Sequence, residues 1–253
     1  MKLTDLVSRY DERLRTEDYA FDVSANGLQV GPEETDVSKV AFGVDAAVST
    51  IEAAADAGAD VFVVHHGLSW GGIERVTGAT YERIRLLVEN DIALYASHLP
   101  LDGHEALGNA AGIADLLALE NRERFGVEAS EYIGIRGTAP DPLSVTGLRE
   151  ALIGLDNGGQ GVQILDHGPE KIEDIGIITG SGTDWLPEAE EAGLDALITG
   201  EGKQPAYHNS KEAGIHVVLA GHYATETFGV RALQELTEEW GLDTTFIGEP
   251  TGL

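Results

Sequence analysis

Short β-branched runs alternate with stretches of helical period along most of the chain, the pattern of an α/β protein. Residues 40–44 read as a strand, 48–57 as a helix ending near Gly58, and 60–64 as a buried strand. Helix 81–89, strand 92–96, a turn over 97–103 and a helix over 105–118 follow. The charged stretch 120–124 reads as a boundary between two parts. Beyond it the pattern predicts strand 132–136, a Pro-rich turn over 139–142, helix 145–153 and strand 161–165. Strand 175–178, helix 186–192, strands 196–199 and 217–220, and a last helix over 226–240 complete the series. The string Asn157-Gly158-Gly159-Gln160-Gly161 precedes a strand and lacks a following Lys-Ser/Thr, so it reads as a turn rather than a phosphate loop.

A repeat runs through these elements. Ala57-Gly58-Ala59-Asp60 and the strand up to His65-His66-Gly67 align with Ala192-Gly193-Leu194-Asp195 and the strand up to Gly200-Glu201-Gly202, at an offset of 135. Strand 40–44 keeps the same offset to 175–179, and after an 11-residue deletion His98 aligns with His222 at an offset of 124. Two copies of one unit are therefore expected, facing one another across a pseudo-symmetric cleft.

Composition narrows the chemistry. The chain has 253 residues, enough for one large α/β domain or two small ones, and no apolar stretch approaches the roughly 20 residues of a membrane span. Residues 1–15 lack the basic-then-apolar order of a signal peptide, so a cytoplasmic protein is expected. With no cysteine, thiolate metal sites and disulfides are excluded, and any metal must sit on nitrogen and oxygen. Sixteen basic residues, five of them lysine, against 44 acidic ones give a net charge of −28. That surface repels nucleic-acid backbones and anionic lipid, and it suits a salt-rich, halophilic cytoplasm where screening suppresses self-repulsion.

The candidate chemistry lies at predicted strand ends. His65 and His66 close an apolar strand, where open α/β sheets place ligand loops. Neighbours on an extended backbone point to opposite sides, so two metals would take one each; an isolated His-His pair reads equally as loop histidines bonded to carbonyls. His98 with Asp102, and His222 with Glu226, share a spacing that brings imidazole and carboxylate to one side of a turn, although either acid alone reads as a helix cap. Imidazole with carboxylate suits zinc, iron, manganese, cobalt or nickel without selecting among them. In a two-metal centre Glu226 is the candidate bridging ligand, and acidified water between the ions supplies a nucleophile in place of serine or cysteine. Glu201 and Lys203 read as a general base and a phosphate contact or as a solvated turn; Trp70 stacks a base ring or simply packs. Asn26 and Gln29 organise backbone, and His208 and His216 are structural.

The segments Asn26-Gly27-Leu28-Gln29-Val30-Gly31, residues 60–67 with His65-His66-Gly67, Ser97-His98 to Asp102, Ile198-Thr199-Gly200-Glu201 and Gly221-His222-Tyr223-Ala224-Thr225-Glu226 closely resemble, in order and spacing, the Nif-three-like dinuclear metal centre family, also called GTP cyclohydrolase I type II-like. The resemblance spans residues 3–241. It implies two intertwined α/β domains of similar topology, the first from residues 1–124 plus 220–253 and the second from 125–219, in subunits that form a toroidal homohexamer. It also implies two divalent ions per subunit on His65, His66, Asp102, His222 and Glu226, with His98 beside the site as a further ligand or behind it. Leu99-Pro100 stands where many relatives have small polar residues, and the long insertion some carry between the halves is missing, so the compact form of the subunit is expected.

Two functions follow from different classes. One is a metal-dependent hydrolase of a small molecule, with a nucleotide and guanine ring opening among the candidates, in which Glu226 and His98 are catalytic. The other is a non-catalytic metal-binding scaffold, adaptor or metal-handling protein.

Overall fold

The computed structural model describes residues 1–32 and 34–253. The chain forms two compact units: Met1–Leu101 with Gly229–Glu249, and Asp102–Phe228 with Pro250–Leu253. It thus leaves the first unit, builds the second, returns, and ends in the second.

Helix α1 (Leu3–Leu14) buries Leu3, Leu6, Tyr10 and Leu14, an i, i+3, i+4 stripe. Strand β1 (Gly27–Val30) precedes the series β2 (Lys39–Asp45), α2 (Val48–Asp56), β3 (Val61–His66), α3 (Gly78–Glu89) and β4 (Ala93–Ala96). The single turn α4 (Leu99–Asp102) carries the chain onward to α5 (Asn109–Leu116) and the antiparallel pair β5 (Glu120–Glu128) and β6 (Glu131–Leu143). Helix α6 (Val145–Leu152), strands β7 (Gln163–Leu165) and β8 (Ile172–Ile177), helix α7 (Leu186–Glu191), strand β9 (Ala196–Thr199), helix α8 (Ala206–Ala213) and strand β10 (His216–Leu219) follow. The turn α9 (His222–Thr225), helix α10 (Thr227–Glu239) and strand β11 (Asp243–Phe246) complete the order.

The first sheet runs β1-β4-β3-β2-β11 and the second β5-β6-β8-β9-β10-β7. At the centre of each lie three parallel strands joined through helices, and an antiparallel strand, β1 or β7, flanks the third of them. Val40 pairs with Val61 and Val61 with Ala93; Ile175 pairs with Ala196 and Ala196 with His216. The repeat read from the chain is therefore a repeat of topology, its offset of 135 kept in the first two strands, while the third strand pairs at an offset of 123 rather than 124.

Its anchor is a carboxylate. Asp60 accepts the backbone N–H groups of Ser38 and Lys39 at 2.7 and 2.9 Å, and Asp195 accepts those of Glu173 and Asp174 at 2.8 and 3.0 Å, every partner displaced by 135. Each acid follows a helix that ends at a glycine with φ near +70°, Gly58 or Gly193, a conformation that costs glycine little and lets the chain turn straight into the next strand. The Ala-Gly-x-Asp signature is thus a helix stop joined to a strand-start clamp.

Each unit has its own core. In the first, Phe62 and Val64 of β3 pack with Ile51 and Ala54 of α2, Leu87 of α3 and Leu94 of β4. In the second, Ile175 and Ile177 pack with Ile198, Val218, Leu148 and the alanines of α5.

Two readings of the pattern need correction. The charged stretch 120–124 is not a boundary: it belongs to β5, an edge strand of the second sheet, where charge blocks unwanted pairing. Arg122 pairs with Asp115 and Arg124 with Glu105, while Phe125 turns inward. The Pro-rich residues 139–142 are the irregular part of β6, between its pairings Thr138 to Asp174 and Leu143 to Ile172, where missing N–H groups break no ladder. The pattern also passed over α1, β1, β5, α8 and β11; the expected helix 226–240 is α10, which begins at Thr227, and the turn α9 before it was not expected.

Candidate metal centre

In the first unit, β3 ends in His65, wholly buried, and His66, partly so. Both lie within β3, yet their ring centroids are 4.6 Å apart. His98 follows β4, and His65, His66 and His98 each offer a ring nitrogen within 4.8 Å of the others.

Each of these rings is held from behind. His65 Nδ1 lies 2.9 Å from the Ser97 carbonyl, His66 Nδ1 2.8 Å from Asp45 and His98 Nδ1 3.0 Å from Asp22. An acceptor at Nδ1 places the proton there and leaves the Nε2 lone pair for a cation, the arrangement metal-binding histidines use. Asp22 is itself fixed, accepting from Ser24 N, Asn26 Nδ2 and Leu99 N. Burial works against its ionised form, but hydrogen bonds from His98, Asn26 and Ser24 outweigh burial and hold its carboxyl below the usual range.

Asn26 and Gln29 organise backbone around this cluster. Asn26 Oδ1 accepts the His98 N–H at 2.7 Å. Gln29 accepts from Leu68 N at 2.7 Å and donates to Ala25 O, pressed so closely on Gly67 that a Cβ there would meet its oxygen at 2.4 Å.

In the second unit, Asp102 closes α4 and accepts from Asn109 Nδ2 at 2.8 Å and Thr179 Oγ1 at 2.9 Å. Glu226 sits in the break between α9 and α10, 3% exposed, with a carboxylate oxygen within 4.8 Å of one from Asp102. His222, one turn earlier, has Nε2 3.2 Å from Glu226 and Nδ1 3.1 Å from Glu201. Burial lowers the basicity of His222, but the Glu226 and Glu201 carboxylates outweigh it and raise its pKa to about 9.

The loop after β8 shapes this half. Gly180 lies against Glu226 with φ +61°, and a Cβ there would come within 2.3 Å of the carboxylate oxygen. Thr225 Oγ1 accepts the Gly180 N–H and donates to the His222 carbonyl. Below them, the side chain of Asn157, in the glycine-rich turn, fills the space that a side chain on Gly221 would need.

These residues fit divalent cations. Two buried carboxylates this close favour sharing a cation over ionising side by side, and the acceptors behind His65, His66 and His98 hold their protons at Nδ1, on the side away from Nε2. The donor set is nitrogen and oxygen throughout, suited to zinc, iron, manganese, cobalt or nickel.

The pattern did not show Asp22, Asp45 or Thr179, which stand in no spaced motif. The repeat offset was the one available signal: it carries Asp45 onto Gly180, so both fall at matching strand ends. Glu201 faces His222, while Lys203 pairs with Asp184. His216 is buried against Gly168 N and the Pro169 carbonyl, a structural role, and His208 packs edge-on to Tyr207.

Comparison with known proteins gives the chain its relatives. A protein of Halobacterium salinarum called GTP cyclohydrolase 1 type 2 homolog is 55% identical over 254 residues, and one of the same name from Archaeoglobus fulgidus is 40% identical over 255, each covering both chains fully. A crystal structure of a Thermus thermophilus protein superposes with a TM-score of 0.91 at 37% identity, again over the whole of both chains. The sequence pattern of one family, Duf34/NIF3, extends over residues 1–251, taking in every histidine and acid described above. The chain therefore belongs to the Duf34/NIF3 (NGG1p interacting factor 3) family.

Proposed function

We propose that the protein is a dinuclear metal-dependent hydrolase, with His65, His66, Asp102, His222 and Glu226 as ligands and Glu226 as the bridge. The observation that carries this reading is the pair of buried acids, Asp102 and Glu226, with oxygens within 4.8 Å of one another. When bound, a pair of divalent ions supplies Lewis acidity and makes water a nucleophile near neutral pH. The chain's residues then have distinct tasks. Asp45, Asp22, Glu201 and the Ser97 carbonyl hold each imidazole proton at Nδ1. His98, backed by Asp22, is the candidate to take a proton at Nε2 from the attacking water and pass that proton to a departing group. Thr179 and Asn109 orient Asp102, and Gly180 leaves room for the Glu226 carboxylate.

The substrate proposed is a small molecule with a hydrolysable C–N or P–O bond. The name carried by the relatives makes the guanine ring of a nucleotide the first to try. Turnover of GTP and cyclic amides would be measured with zinc, iron, manganese, cobalt or nickel supplied in turn. Metal-dependent product is expected from the native chain and none from Glu226→Gln at equal folded content; full activity in that variant would overturn the mechanism.

The net charge of −28 favours a second reading, since it opposes the approach of a polyphosphate. In that reading the protein binds metal as a scaffold without turnover. Uniform inactivity with every metal against nucleotides, phosphodiesters and cyclic amides would select it.

A further inference from the structure

Trp70 is 43% exposed, yet it is not loose. Its indole N–H donates to the Gly67 carbonyl at 3.1 Å, one residue beyond His66. Gln29 grips Leu68 N and Ser69 N, Ala25 N donates to Ser69 O, and Gly71 N donates to Val23 O at 2.6 Å. The ring is therefore set in place from both sides of the loop. It stands edge-on to His98 at 5.0 Å between centroids and 5.8 Å from the ring of His66.

An indole held rigidly in water beside metal-binding imidazoles forgoes the hydrophobic gain of burial, and a flat ligand would restore it. The loop that carries it, residues 67–77, has one acid, Glu74, and one base, Arg75, so it offers no excess positive charge for a polyphosphate. Val23, exposed and joined through the backbone to this loop, adds apolar surface.

We infer that Trp70 is the specificity platform of this site: it stacks a planar nitrogen heterocycle of the purine or pterin class, and the ring rather than a phosphate chain supplies the recognition. The inference rests on the metal-site reading but does not need turnover. Offset stacking on the indole face would hold one edge of the ring toward His66 and His98, where its C–N bonds meet the proposed ions.

Binding of guanosine, a pterin, ribose 5-phosphate and inorganic triphosphate to the metal-loaded protein would be measured by calorimetry, with metal content and assembly state recorded in parallel. Guanosine or the pterin is expected to bind, and the two ringless probes at least tenfold more weakly. Trp70→Leu should weaken ring binding by about tenfold, within the range seen for base–aromatic stacking. Trp70→Phe, which keeps a π-face, should stay within about threefold, and metal content should not change in either variant. Equal ring binding in Trp70→Leu, ringless probes binding as well as rings, no binding of any ring, or a change of assembly state in place of lost binding would each overturn the inference. Ring binding without turnover would leave it standing while removing the hydrolase reading.

Discussion

Asp60 shows how a single carboxylate can define an element. Burial raises its pKa, but the N–H groups of Ser38 and Lys39 and the Ser38 hydroxyl outweigh burial and draw it below the ordinary 3.8. A depressed carboxyl contributes stability that is complete above its unfolded value and is lost as pH falls through the folded one. Asp60→Ala should therefore cost about 1–2 kcal/mol at pH 7, roughly 2–8 °C in Tm for a chain of this size. Thermal melts should show the gap to the native chain closing below pH 3.8; a gap that persists there would mean that lost packing is responsible. Among single residues, the histidines and acids of the centre were legible because a His-His pair and two His-x-x-x-acid spacings are local. Asp22 was not: it reaches His98 across 76 residues, and only folding makes them neighbours.

At the scale of elements, the loop after β8 decides the shape of the acid site. Gly180→Ala would place a methyl where Glu226 sits and force alanine to φ +61°, a strain of about 1–2 kcal/mol. We expect at least a tenfold loss of metal affinity by titration with cobalt, of the order that lost supporting contacts produce, with the second sheet intact by circular dichroism; unchanged affinity would show that Glu226 has room to move. Helix α5 offers a contrast. Its Gly112 lies against Phe228, 2.5 Å from where a Cβ would stand, so Gly112→Ala should destabilise by about 1–3 kcal/mol through overpacking despite alanine's better helix propensity. A rise in Tm would refute that packing. Central strands were legible because buried β-branched runs announce themselves. β5 was misread because an edge strand tolerates the charges that also mark linkers, and α8, exposed along most of its length, has little apolar period to show.

For the whole molecule, charge sets the conditions of stability. The exposed ion pairs, such as Arg85 with Glu82 and Glu89, contribute little and weaken as salt rises. The repulsion of a net −28 acts over the entire surface and also weakens with salt, in the stabilising direction. With repulsion dominant, Tm should climb steadily between about 0.1 M and 2 M KCl, where the screening length shrinks to a few ångströms; a flat or falling Tm would remove the case for a salt-adapted protein. The homohexamer is likewise proposed, and light scattering in high salt counts its subunits.

The chain by itself determined its class, its two matched halves and the residue types at its strand ends, because helical period, strand runs and the Ala-Gly-x-Asp stop are written in neighbouring residues. Tertiary structure alone decided which oxygen holds each imidazole, which glycine yields to Glu226 and where Trp70 stands relative to His98. Those are contacts between residues far apart in sequence, and no local pattern encodes a distance that only the closed backbone creates.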